Sequence, residues 1–159
     1  MESTVESLSV YELERGKPMP NIIHGAIQAN LVFELKSHYR QSYRVVSEVT
    51  LATVPDGATP DVLVYPLFPL DYLTVPPARR SDPPLLCVEI QSPSQSLGEM
   101  IEKVARYFAF GVKSCWVVVP SLQAVLVYDQ PGHYRFCHGD EVLRDANVGI
   151  ELPLPGIFA

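Results

Sequence analysis

Two acids stand out in this sequence because of where they fall. Asp61 follows Pro60 at the head of a β-type run, Asp61–Tyr65, and Glu89 interrupts a second apolar run, Leu85–Gln91. Side chains alternate across a strand, so Cys87, Glu89 and Gln91 share one face while Leu86, Val88 and Ile90 share the other. A carboxylate set among such neighbours pays heavily in desolvation unless it has a partner. If the two strands are neighbours, both acids reach one sheet, and a hard divalent cation, Mg²⁺ or Mn²⁺, is a fitting partner. Such an ion takes oxygen ligands, commonly one or two carboxylates, with waters and a substrate phosphate oxygen completing its shell. The competing reading is structural: Asp61 is a turn residue after Pro60, and Glu89 pairs with an arginine or caps the helix that follows. Spacing alone does not separate the two.

Lys103 lies on the helix after the Glu89 strand, four residues past Glu99 and four before Tyr107, so the three fall on one stripe. From there it either reaches back over the strand ends toward a phosphate or forms a surface ion pair with Glu99. Cys87, Cys115 and Cys137 are odd in number and widely spaced, which argues against a disulfide or a zinc site. None is read as a nucleophile. Twelve Lys and Arg against eighteen Asp and Glu give a net charge of −6. The chain is therefore no general electrostatic glue for nucleic acid, and DNA contact must be local, with Arg79 and Arg80 as candidates. No glycine-rich phosphate loop is present, so no nucleotide cofactor is expected.

These residues need a scaffold, and 159 residues suit one domain with one core. The 15 prolines punctuate it. After an N-terminal arm, residues 1–20, apolar spacing predicts a helix over Asn21–Tyr39, with Ile23, Ile27, Leu31, Phe33 and Leu35 among its apolar positions. Strands are expected at Arg44–Leu51, Asp61–Tyr65, Leu85–Gln91 and Cys115–Val119. A helix is expected over Ser94–Phe110, burying Leu97, Ile101, Val104 and Phe108 and ending at Gly111. Residues 121–159 read as a hairpin, Ala124–Tyr128 with Tyr134–His138, and a tail returning through Gly149–Leu152. The strand–helix–strand passage from Leu85 to Val119 implies a right-handed crossover and a parallel pair. The fold class is α/β: a mixed sheet flanked by helices in the order α-β-β-β-α-β, with a C-terminal hairpin. No apolar run is long enough to span a membrane and no secretory leader is read at the start, so the cytoplasm is the expected compartment.

Pro60-Asp61, then Glu89-Ile90-Gln91, then the helix bearing Lys103, resemble the Pro-Asp…(Asp/Glu)-x-Lys signature of restriction-endonuclease-like nucleases. Within that superfamily, Glu89-Ile90-Gln91-Ser92-Pro93-Ser94, the later Lys103 and Tyr107, Gly111-Val112, Trp116 and Val119-Pro120 are similar to the Uma family, numerous in cyanobacteria. The resemblance spans about Tyr11 to Tyr128 and implies the same helix–three strands–helix–strand core. It also implies Asp61 and Glu89 as metal ligands and DNA as substrate. The superfamily's lysine two residues after the acid is Gln91 here, and Lys103 resembles its migrated replacement. Glu99 stands where the family usually has Asp, and Val119 where it has Asp before Pro120. The resemblance adds His24, followed by Gly25, and Glu34 on the first helix as supporting candidates beside Glu99 and Tyr107.

The expected function is Mg²⁺-dependent hydrolysis of DNA phosphodiester bonds. Asp61 and Glu89 would hold the ion, Gln91 would orient water, and Lys103 would face the phosphate. A homodimer is the expected assembly if two strands are cut. The alternative is a catalytically silent nuclease fold that binds DNA or a protein partner, a reading that Gln91 and the net negative charge support.

Overall fold

The structure, a computed structural model, describes residues 21–159. The expected N-terminal arm, 1–20, lies outside the described residues. Helix α1, Ile22–Tyr39, is capped by Asn21, whose side chain accepts from the His24 backbone N–H at 2.9 Å. Lys36 and His38 in its last turn complement the helix dipole. The buried stripe is His24, Ile27, Leu31 and Leu35, at steps of three, four and four. Ile23 and Phe33, expected inward, fall off that stripe and are 58% and 67% exposed.

Four strands then form around a second helix: β1 Tyr43–Ser47, β2 Val62–Pro66, β3 Leu86–Ile90, α2 Leu97–Phe110 and β4 Ser114–Val119. With β5, Ala124–Gln130, and β6, His133–His138, they make one six-stranded sheet in sequence order. Only β3 and β4 run parallel, joined through α2; the other neighbours are antiparallel. This is the expected mixed sheet flanked by helices. β1 is shorter than expected because Glu48 adopts a left-handed backbone conformation (φ 59°) and turns the chain off the sheet edge. Residues expected at the strand's far end pair elsewhere: Leu51 bridges Ala58 and Arg80.

Helix α2 begins at Leu97, with Ser96 as its cap, and stops at Gly111, whose φ of 114° suits glycine. Its buried residues are Met100, Val104 and Tyr107, so the helix is rotated relative to the expected stripe. Leu97 and Ile101 are 41% and 43% exposed. The rotation turns Tyr107 onto the sheet.

The two faces of the sheet carry separate cores. Val62, Val64, Leu86, Val88 and Trp116 pack with α1 and the C-terminal segment. Leu63, Tyr65, Cys87, Cys115 and Val117 pack with α2. The tail holds more structure than expected: strands β7, Val142–Asp145, and β8, Ile150–Pro153, form a second small sheet, followed by the short helix α3, Leu154–Ile157. Four-residue strands carry too few alternations to be read from sequence. Asp145 anchors this tail, accepting from Ser114 Oγ at 2.9 Å and Trp116 Nε1 at 2.8 Å. Among the described residues no helix is long and apolar enough to cross a membrane.

Candidate functional site

β2 and β3 are antiparallel neighbours, with Val62 opposite Val88. The ladder extends one residue beyond β2, where the Asp61 N–H donates to Val88 O at 3.0 Å. The Asp61 carboxylate then folds over the end of β3 and accepts from the Ile90 N–H through Oδ2 at 2.7 Å. Its other oxygen, Oδ1, lies 3.1 Å from His24 Nε2. Asp61 and Glu89 are thus on one sheet at adjoining strand ends, and both are buried, at 0% and 2% exposure.

Glu89 projects to the α2 face, as the alternation with Cys87 requires. There the Tyr107 hydroxyl donates to Glu89 Oε1. Burial, and next the Glu89 carboxylate, push the Tyr107 phenol well above its ordinary value, so Tyr107 stays a donor. Each acid is therefore held by a different helix: Asp61 by α1 through His24, Glu89 by α2 through Tyr107.

Gln91 stands just past β3, with its Nε2 donating to Gln95 O at 3.0 Å. Gln95, which sequence reasoning missed, also accepts the Ser92 N–H on its own side chain at 3.1 Å. It thereby shapes the turn between β3 and α2, a local role with no periodic signal. Lys103 is half-buried on α2, one turn before Tyr107. Glu99 is exposed, and among the described residues no ion pair joins it to Lys103.

Two candidates sit elsewhere. Glu34 does not turn toward Asp61; it lies 3.5 Å from His38 Nε2, and its carboxylate packs at Gly156 of α3. Ten helical residues, about 15 Å of rise, separate it from His24. Arg80 is committed internally, with Nε and Nη2 on the Asp82 carboxylate at 2.9 and 2.7 Å. Its guanidinium also covers the rings of Tyr65 and Phe68 at 4.8 and 5.3 Å. The Arg80 hydrogen bond holds Asp82 below the usual carboxylate range. Arg79 is exposed beside Gly57. The three cysteines are free and buried, and burial pushes each thiol up, which makes them inert.

Among the described residues no three His, Cys, Asp or Glu side chains are grouped to hold a metal between them. Mg²⁺ asks less of a protein than that, since waters and phosphate oxygens supply most of its ligands. Each carboxylate oxygen accepts from more than one side, so the contacts to Ile90, His24 and Tyr107 are compatible with a cation. The donor chemistry of Asp61 and Glu89 fits such an ion.

No curated protein matches the chain. Among solved structures it is similar to one described as "a putative nuclease belonging to DUF820" from Anabaena variabilis ATCC 29413, with a TM-score of 0.75. The two are 22% identical over 89% of this chain and 83% of the other, a likeness of fold. A family model described as "Uma2: Putative restriction endonuclease" matches residues 11–157, which include every site residue above. By that match the chain belongs to the Uma2 family.

Proposed function

We propose that this chain is a metal-dependent endonuclease hydrolysing DNA phosphodiester bonds, with Asp61 and Glu89 holding Mg²⁺ or Mn²⁺. The observation that carries the reading is the pair of buried carboxylates at adjoining strand ends in a chain of the Uma2 family. When bound, the ion would supply Lewis-acid charge and a lowered pKa for coordinated water. The chain's own residues do the rest. The Ile90 N–H and His24 fix the orientation of Asp61, and Tyr107 fixes Glu89. Tethering the Gln91 amide nitrogen to Gln95 presents its carbonyl oxygen as an acceptor that orients water. Lys103, without a Glu99 ion pair, faces the phosphate with its positive charge and stabilises the transition state. Arg79 is available to contact the DNA backbone. Cutting both strands of a duplex would engage two such sites, hence a homodimer.

The test is cleavage of plasmid and oligonucleotide DNA with and without Mg²⁺, alongside calorimetric titration of Mg²⁺ and Mn²⁺. Cleavage that needs the ion and is lost in Asp61→Asn and Glu89→Gln supports the reading; absence of divalent binding to the wild type ends it. A second reading, an inactive nuclease fold that binds DNA or protein, is favoured by Gln91 standing where the superfamily has lysine. It expects DNA retention without cleavage in the same assay.

A further inference from the structure

Asp61 is held at its backbone as well as at its carboxylate. It stands one residue before β2, where its N–H donates to Val88 O at 3.0 Å. Its carbonyl oxygen accepts twice. One donor is the Glu48 N–H at 3.2 Å, at the point where Glu48 turns the chain off the sheet edge. The other is Gln28 Nε2 of α1, at 3.1 Å and 33 residues away in sequence.

Gln28 follows His24 by four residues, so the two side chains leave the same face of α1 one turn apart. His24 Nε2 lies 3.1 Å from Asp61 Oδ1 while Gln28 takes the carbonyl, so one helix grips both ends of the same residue. A carboxylate's aim depends on its rotamer and on the peptide that carries it, because the backbone decides where the staggered wells point. At the head of β2, where β1 turns away, Gln28 adds a donor just as the sheet's own ladder ends.

We infer that Gln28 is a positioning residue of the proposed metal site: by pinning the Asp61 carbonyl it fixes the peptide from which the carboxylate is aimed. The inference rests on the endonuclease reading and names the side chain through which α1 steadies the acid's main chain. Gln28 fills the supporting place on the first helix that the sequence offered to Glu34, whose carboxylate packs at Gly156 instead. A residue that orients a metal ligand is typically worth about ten- to a hundredfold in metal affinity.

The test compares two side chains of α1 that make the same kind of bond. Asn30 Nδ2 donates to the carbonyls of Ile157 and Ala159, each at 3.0 Å, and so ties the helix to the C-terminal segment rather than to Asp61. Gln28→Met keeps the side chain's length and removes its donor. Gln28 is half-buried at the border of an open groove with Ala29 and Phe33, so methionine fits there. Gln28→Asn keeps the amide but withdraws it by one methylene, which repeats the loss should the methionine variant fold poorly. Asn30→Ala is the control, and every chain is full-length and studied well below its melting temperature. The first readout needs no metal: in EDTA, NMR follows the Ile90 amide, which donates to Asp61 Oδ2. Either Gln28 variant should move its proton signal upfield as that bond lengthens, and Asn30→Ala should leave it in place. Calorimetric titration of Mn²⁺ should then show an affinity weaker by about tenfold or more in the Gln28 variants and unchanged in Asn30→Ala. If the wild type binds Mn²⁺ and neither Gln28 variant changes the Ile90 signal, or neither changes the affinity, the assignment is overturned. Asn30→Ala matching the Gln28 variants in both readouts also overturns it, since Gln28 would then only seat the helix. A wild type that binds no Mn²⁺, with the Ile90 signal moved by the Gln28 variants alone, keeps Gln28 as the residue that aims Asp61 and loses the metal-dependent reading.

Discussion

Replacing Tyr107 with Phe removes one oxygen atom from the centre of the proposed site. The ring keeps its place among Cys87, Met100 and Val104, so the perturbation is electrostatic and leaves no sizeable void. What disappears is the hydroxyl donor to Glu89 Oε1, at a carboxylate only 2% exposed. A hydrogen bond to a charged group contributes about 1.5–3 kcal/mol, about twice a neutral one. For a domain of this length that loss lowers the melting temperature by roughly 3–12 °C. Urea unfolding in EDTA, followed by circular dichroism, should show a lower midpoint at unchanged slope. In a Glu89→Gln background the partner is neutral, and Tyr107→Phe should cost only about 0.5–1.5 kcal/mol. The cycle therefore yields a coupling of about 1 kcal/mol or more. Should Tyr107→Phe match the wild type within about 0.5 kcal/mol, or cost the same in both backgrounds, the charged pairing across β3 and α2 would be refuted.

Asp61→Asn and Glu89→Gln should each abolish Mg²⁺-dependent cleavage, measured on plasmid DNA. Lys103→Met should lower cleavage by about a hundredfold while leaving stability within about 1 kcal/mol, and Glu99→Gln should leave cleavage unchanged; equal effects of the two would return Lys103 to a surface role. Burial pushes the Tyr65 phenol up to about 12 from an ordinary 10, and burial raises Tyr107 as well. The folded state thus binds protons that the unfolded chain releases. Its advantage is full below pH 10 and drains away as pH rises toward 12, which urea melts paired with tyrosinate absorbance would detect.

The parts legible in the sequence were those with strong local patterning. Helix α1 was legible through the four-residue spacing of Ile27, Leu31 and Leu35, though not the facing of Ile23 and Phe33, and Glu89 through its intrusion into an apolar strand. What escaped depends on partners far away in sequence. The alternation in residues 43–51 is strand-like throughout, yet Glu48 turns the chain aside so that Leu51 can pair with Ala58 and Arg80. The rotation of α2 is likewise set from outside, since a stripe through Leu97 and Ile101 is as helical as one through Met100 and Tyr107, and only the sheet beneath chooses between them. Arg79 and Arg80 read alike in sequence; Asp82, Tyr65 and Phe68 draw one of them into the fold and leave the other at the surface.

The placement of the acids has a mechanical consequence. A carboxylate's direction is held only as firmly as the donors that grip it, and beside the Ile90 N–H of β3 on Asp61 the side-chain partners come from opposite layers: His24 from the helix above the sheet, Tyr107 from the helix below. α1 is seated by Ile27, Leu31 and Leu35 against one core, and α2 by Met100 and Val104 against the other. A change that shifts either helix on the sheet moves one acid relative to its neighbour, even when it touches neither. Leu31→Ala, at a fully buried position, would shift or loosen α1 at a cost of about 2–5 kcal/mol and should misdirect Asp61 through His24. Val104→Ala should do the same to Glu89 through Tyr107, with a smaller side chain lost. Each should therefore weaken Mg²⁺ binding in the folded protein, measured by calorimetry well below its melting temperature. Unchanged affinity in both would show that β2 and β3 alone aim the carboxylates, and that the helices only cover them.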